Sequence, residues 1–343
     1  MEKPKDRDFI ETIEGLLFCV VGYLHPPDRY TAYLKYVPDV DGRWSREGTR
    51  YSRVLPYYHV SQVEKTHGYL RELYPQYIHR CPVRNITVSS VPKGSVERYY
   101  VPRERLDSIL RDGPTDELEY KLVNLVTILS DLSGLQTRDM GVTGSILTGT
   151  QNPAFSDIDL TIYGLKASRS LKETMLEMRG EENVIQPLTS AKKEIWSMRR
   201  AARFTMSFED LMDFADRRWN YGVYRDTYFS IHPVRVGEEI TEEYGDYTYT
   251  QKGIISGRAV IKDSSEAIYL PAIYRLDEME TGRETASEIT DIVSYEGLFC
   301  DMFDVGDCVE FRGVLEHVIG VEKHYRVVIG GAGSTPSYMR RVV

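Results

Sequence analysis

Apolar and polar positions are arranged in three different ways along this chain. Up to about residue 112, short apolar runs are separated by turn residues. LLFCVVGYL (16–24) and TAYLKYVP (31–38) read as strands. Between them His25-Pro26-Pro27-Asp28 is turn chemistry, because proline fixes its own φ and restricts its predecessor. DVDGRWSREG (39–48) reads as a hairpin end or an exposed loop, and VRNITVSSV (83–91) as a further strand. A short helix is predicted from Ser61, stopped by Pro75. Gly113-Pro114 then breaks the pattern.

From there the apolar period lengthens. Leu118, Leu122, Leu125, Val126, Leu129 and Leu132 form one helical stripe, with Thr115 as the expected N-cap and an end near Gly134. A strand is predicted over Ile158–Tyr163, helices over 168–180 and from Ser190, and a third helix from Ser207. There Ser207 and Asp210 have the spacing of a capping box. DTYFSIHPVR (226–235) is the next strand. The remainder is punctuated by glycine, and GRAVIKD, AIYLPAIYRL, VGDCVEFRGVLEHV and HYRVVIGG are short strands suited to a small barrel. The expected class is a multidomain α+β protein. It would have an accessory α+β domain over 1–113, a small domain of mixed sheet and helices over 114–236, and a barrel-like domain over 237–343.

Composition changes this picture little. A net charge of −9 over 343 residues argues against a protein dominated by nucleic-acid binding, but leaves room for a local basic groove. Tyrosine is abundant, 25 residues against 10 phenylalanines, and suits strands, interfaces and base stacking alike. Cys19, Cys81, Cys300 and Cys308 form no CxxC pair and no zinc-ligand spacing, which fits free thiols in a reducing compartment. The polar start MEKPKDRDF leads to no signal-peptide core, and no apolar run is long enough to span a membrane. A cytoplasmic protein is expected.

The chemistry concentrates in GSILTGTQNPAFSDIDLTIYG, residues 144–164. Strand parity puts Asp157, Asp159, Thr161 and Tyr163 on one face and Ile158, Leu160 and Ile162 on the other. Two carboxylates about 6–7 Å apart along a strand repel unless a cation lies between them. Mg²⁺ is commonly held by one or two carboxylates together with substrate phosphates. Ahead of them, Gly144-Ser145 offers backbone amides and a hydroxyl to a phosphate. Neither a P-loop nor a dinucleotide fingerprint is present.

Gly144-Ser145 followed by Asp157-x-Asp159 resembles the signature of the DNA polymerase beta-like nucleotidyltransferase superfamily, across roughly residues 115–236. The resemblance implies that the Gly144-Ser145 turn holds the phosphates of an NTP, ATP among the candidates, and that Asp157 and Asp159 bind Mg²⁺ or Mn²⁺. It also implies a third carboxylate on a neighbouring strand. The whole chain, through LLFCVVGYLHPPDRYTAYLKYVP and AIYLPAIYRL, is similar to an uncharacterised archaeal family of predicted nucleotidyltransferases. Nucleotide is the implied partner, and RNA such as tRNA is one class of acceptor.

The third carboxylate is where the chain departs from that pattern. On DTYFSIHPVR the relevant face carries Asp226, Tyr228, Ser230 and His232, so an acid is absent at Ser230 and His232 and present only at the strand's start. Asp226 is the expected third catalytic acid, with His232 as an alternative base or phosphate contact, and Glu238, Glu239, Glu242 and Glu243 follow the strand. Arg217 and Arg218, just before Trp219 and Tyr221, are candidates for binding nucleotide phosphate and stacking a base. Two further readings stand beside the enzyme: a degenerate relative that binds nucleotide or RNA without transfer, and a purely structural protein.

Overall fold

A computed structural model describes residues 4–54, 60–179, 184–201, 204–282, 287–330 and 337–342. In chain order it contains strands β1 (Phe9–Thr12), β2 (Leu17–Val20), β3 (Arg29–Pro38), β4 (Trp44–Arg46) and β5 (Thr49–Ser52). Helix α1 (Val60–Leu73) follows, then β6 (Ile78–Cys81), β7 (Ile86–Pro92) and β8 (Val96–Tyr100). The middle of the chain holds α2 (Pro102–Asp112), α3 (Glu117–Ser133), β9 (Met140–Thr143), α4 (Gly144–Thr148), β10 (Ile158–Tyr163) and α5 (Leu165–Glu177). After these come β11 (Ile185–Gln186), α6 (Ser190–Ala201), α7 (Phe208–Arg217), β12 (Tyr221–Tyr224) and β13 (Thr227–Val234). Six strands complete the chain: β14 (Thr248–Asp263), β15 (Ala272–Glu280), β16 (Ile289–Ser294), β17 (Cys308–Ile319), β18 (Lys323–Ile329) and β19 (Tyr338–Arg341).

Contacts divide the chain into two compact units, each drawn from separate stretches of sequence. The first comprises Met1–Pro56, Ser89–Leu188 and Trp219–Thr241, and the second Tyr57–Val88, Thr189–Arg218 and Glu242–Val343. The Gly113-Pro114 break falls inside the first unit.

The first unit contains a five-stranded sheet in the order β11-β12-β13-β10-β9, in which β10 and β13 run parallel. Its pleat follows the expected parity. Ile158, Leu160, Ile162, Phe229 and Ile231 are fully buried on one face. Helix α3 buries Leu118, Leu122, Leu125, Val126 and Leu129 and ends at the left-handed Gly134. Its N-cap is Asp116 rather than Thr115: the Asp116 carboxylate accepts from the amide of Glu119 at 2.9 Å, and the Thr115 hydroxyl donates to the Glu119 carboxylate at 2.8 Å. On the opposite sheet face, Thr161 and Tyr163 are covered, the ring of Tyr163 by the Arg103 guanidinium of α2 at 4.3 Å. The carboxylate-bearing end of β10 is left open.

An antiparallel sheet in the order β4-β5-β3-β2-β1-β8 belongs to the same unit. Its core includes Phe9, Leu17, Cys19, Tyr36 and Tyr51, together with Leu147 from α4. This sheet therefore packs directly on the one-turn helix that follows Gly144.

Asp8 lies buried beside β1, accepting from the amide of Lys5 at 2.9 Å and the hydroxyl of Tyr99 at 3.1 Å. Burial pushes its carboxyl up to about 7, against those two hydrogen bonds. Because the folded value lies above the unfolded one, its contribution is fully favourable below about pH 4 and is lost as pH rises through about 7. The amount at stake is at most about 4 kcal/mol. Asp8→Asn keeps an acceptor and removes the charge. Its melting temperature relative to wild type should therefore become more favourable between about pH 5 and about pH 8 in paired thermal melts.

The second unit is built on a five-stranded barrel. β14, β15 and β16 form an antiparallel meander, β18 joins β16 in parallel, and β17 pairs with both β18 and β14, closing the ring. This is the connectivity of an oligonucleotide/oligosaccharide-binding barrel. Ile255, Ala259, Tyr274, Ile292, Val309, Phe311 and Val327 alternate into its interior. Helix α7 carries the capping box expected at Ser207 and Asp210. Its Phe214 meets Phe299 and Phe303 edge-on, with ring centroids 6.0 and 5.6 Å apart.

Candidate functional site

The parallel register of β10 and β13 sets the site. Asp159 lies opposite Ser230, and Thr161 opposite His232. The antiparallel pairing of β10 with β9 puts Thr143, immediately before the Gly144-Ser145 turn, on the other side of Asp159. One row of three strands thus places the turn, a carboxylate and a hydroxyl side by side.

The turn is itself the start of the short helix α4. Gly144 has a left-handed φ of 70°, and a Cβ there would lie 2.5 Å from Oδ2 of Asp159. Glycine is required on both counts. Gly144→Ala should push the carboxylate away and destabilise the protein by about 1–3 kcal/mol. Chemical denaturation of the variant checks this. Two arginines hold the end of the same helical turn. Arg105 donates to the carbonyl of Ile146 at 3.1 Å and to buried Glu119 at 2.5 Å. Arg46 donates to the carbonyl of Thr148 at 3.3 Å and to Glu11 at 2.5 Å, with the hydroxyls of Tyr51 and Tyr100 as further acceptors. Ser145 itself is 8% exposed.

Asp159 accepts from the Ser230 hydroxyl at 2.5 Å, and Ser230 lies 2.8 Å from Nε2 of His232. A hydroxyl has one proton, so Ser230, donating to Asp159, accepts from the imidazole N–H. Burial pushes the Asp159 carboxyl up, but His232, Lys35 and Ser230 outweigh it and hold the group well below the usual range. His232 is itself pushed down to about 4, by burial and by the charge of Arg7, despite its contact with Asp159. Asp159 is therefore ionised and His232 neutral near pH 7. Asp157 is exposed and behaves differently. Its surface is open to solvent, yet the protein crowded around the carboxyl partly desolvates it, and this together with the neighbouring charge of Asp159 pushes it up to about 6, while Arg53 and Lys35 oppose the shift. This pair of carboxylates, one ionised and one repelled by it, is a donor set suited to a hard divalent cation.

Asp226 is not brought beside the pair. It sits with Arg225 at the tip of the β12–β13 hairpin, both with left-handed φ values of 65° and 45°. That position is four residues before Ser230, the residue opposite Asp159. Two successive left-handed residues are the demand of a tight hairpin turn, and Asp226 is exposed in that role. Ser230 occupies the row where a third acid would stand. Among the described residues no three His, Cys, Asp or Glu side chains are grouped to hold a metal. Glu239 accepts from the amides of Leu165 and Val236, at the start of α5.

Arg217 and Arg218 are likewise placed differently from the sequence reading. Arg218 is 3% exposed and donates to the carbonyls of Gly297 and Leu298. Arg217 pairs with Asp213 at 3.0 Å and reaches the carbonyl of Met302 at 3.4 Å. Both guanidiniums thus engage carbonyls or carboxylates within the second unit. Trp219 is buried and Tyr221 half-buried. The cations that do act on the site, Arg7, Lys35 and Arg53, come from the N-terminal segments of the first unit. No local motif marks them, because sheet packing rather than spacing brings them there. Among the described residues no helix is long and apolar enough to cross a membrane.

The family model for a nucleotidyltransferase domain matches residues 122–211, a span that includes the Gly144-Ser145 turn and both aspartates and ends within α7. No solved structure matches the chain at a significant level. An uncharacterised protein of Methanocaldococcus jannaschii, MJ1086, is 31% identical over 333 residues, covering 96% of each chain. The chain belongs to the same family as that archaeal protein and carries a nucleotidyltransferase domain.

Proposed function

We propose that the first unit transfers a nucleoside monophosphate from an NTP to an acceptor hydroxyl. The observation that carries this reading is the row formed by Gly144, Asp159 and Ser230, with Asp157 open to solvent beside it. Asp157 and Asp159 would hold Mg²⁺ or Mn²⁺, which supplies charge neutralisation for the phosphates. The Gly144-Ser145 turn would orient the phosphates, and Arg46 and Arg105 keep that turn in place. The acceptor hydroxyl gives its proton to solvent as its oxygen attacks the α-phosphorus, the bond to the bridging oxygen of the β-phosphate breaks, and pyrophosphate leaves. Ser230 and His232 keep Asp159 ionised and oriented.

The test is incubation with α-phosphate-labelled NTPs, Mg²⁺ or Mn²⁺, and cellular RNA, with Asp157→Asn and Asp159→Asn as controls. Label transfer that depends on both residues supports the assignment, and transfer indifferent to both overturns it.

One observation favours a second reading. With Ser230 in the row of the expected third acid, the same site would bind an NTP without transferring it. Stoichiometric NTP binding, lost in Asp159→Asn and accompanied by no pyrophosphate release with any acceptor pool, would mark that protein.

A further inference from the structure

Next to Asp157 lies a cluster of rings and guanidiniums that neither the core nor the chemistry of the two aspartates explains. Phe155 precedes Asp157 by two residues, in a loop closed on Asn152, whose carbonyl accepts from the amides of Phe155 at 3.1 Å and Ser156 at 2.8 Å. The Asn152 side chain also accepts from the Ala154 amide at 3.0 Å. The loop therefore fixes where the ring goes. Trp44, on β4 at the sheet edge, meets Phe155 edge-on with centroids 5.6 Å apart and planes at 86°. Its other neighbour is the buried Tyr36, at 5.4 Å.

Each ring carries a guanidinium. Arg43 lies over Phe155 at 4.5 Å and Arg53 over Trp44 at 4.6 Å. Arg53 also favours the ionised form of Asp157. Arg43 is exposed and has no carboxylate within salt-bridge distance among the described residues. Both rings are only half-buried. Trp44 also packs on the core cluster through Tyr36.

A guanidinium stacked on a ring presents a second flat face, and planar bases stack on such faces as they do on aromatics. We infer that Phe155 and Trp44, with Arg43 and Arg53, form the platform for the nucleobase of the NTP. The inference rests on the nucleotide reading of the Asp157–Asp159 site and adds the part of the ligand that reading leaves unplaced. Stacking uses the base's face and not its edge, so the platform discriminates weakly among bases and favours the larger purine face over a pyrimidine.

The experiment compares two ligands on the full chain in Mg²⁺: ATP, which has a base, and tripolyphosphate, which has none. Phe155→Leu and Arg43→Ala are the variants, with thermal melts to confirm folding. Each should weaken ATP about tenfold and leave tripolyphosphate within about twofold. Trp44→Phe should retain ATP binding while removing an ATP-dependent change in tryptophan emission. Unchanged ATP affinity in both variants, or equal weakening of ATP and tripolyphosphate, overturns the platform. If wild-type protein binds neither ligand, the nucleotide reading of the aspartates fails, and the platform with it.

Discussion

Asp159→Asn should lower nucleotidyl transfer about a thousandfold, ~4 kcal/mol of activation free energy, while the protein stays folded. The substitution keeps an oxygen that can accept from Ser230, so the row across β9, β10 and β13 survives. What disappears is the charge that the site works to retain: Ser230, His232 and Lys35 all favour an ionised carboxylate at this position. Asp157→Asn should fall in activity to a similar degree with even less effect on stability, since Asp157 is exposed. Initial rates from label transfer, measured beside far-UV circular dichroism, check both. A variant at position 159 within about threefold of wild type would mean that the cation, if one is used, is held elsewhere.

The second large effect is on stability. Arg46→Met should cost about 3 kcal/mol, because it strands the Glu11 carboxylate in a site where both partners are nearly buried, with side-chain exposures of 13% and 12%. It also removes a donor from the carbonyl of Thr148 and so loosens the helical turn that begins at Gly144. The double variant Arg46→Met/Glu11→Gln should recover most of the loss, because the uncompensated charge is gone. Urea denaturation of the single and double variants gives the comparison. A double variant no more stable than the single one would assign the loss to packing of the arginine stem instead.

Much of the site was legible in the sequence because strand parity is local. Asp157 and Asp159 share a face opposite Ile158 and Leu160, and the chain alone dictates this. Parity also placed Ser230 and His232 correctly on β13, where they lie beside Asp159. Register between strands was not legible. Whether Asp226 lay beside the pair depended on how β13 pairs with β10 and on the hairpin conformation, and two left-handed residues carry it away. Short strands such as β4 and β5 were hidden for a related reason: three or four residues are too few to show a period. Arg218 misled because a guanidinium next to a tryptophan in sequence looks like a binding surface, whereas its carbonyl partners lie some eighty residues further on. The barrel's strands were readable one by one, but its closure through β14 and β17 joins residues too distant for any pattern to reveal.

The interleaving of the two units has a consequence for biogenesis. The polypeptide passes between them five times, at about residues 56, 88, 188, 218 and 241. A ribosome delivering this chain from its N-terminus cannot finish the first unit until β13 has emerged, since β10 depends on β13 as its parallel neighbour. The two aspartates therefore wait some seventy further residues of synthesis before Ser230 and His232 can lie beside them. Cutting the gene after residue 113 would divide the first unit, and cutting after residue 236 would part α6 and α7 from the barrel of the second, although each cut leaves every sheet whole. Neither cut releases an intact unit.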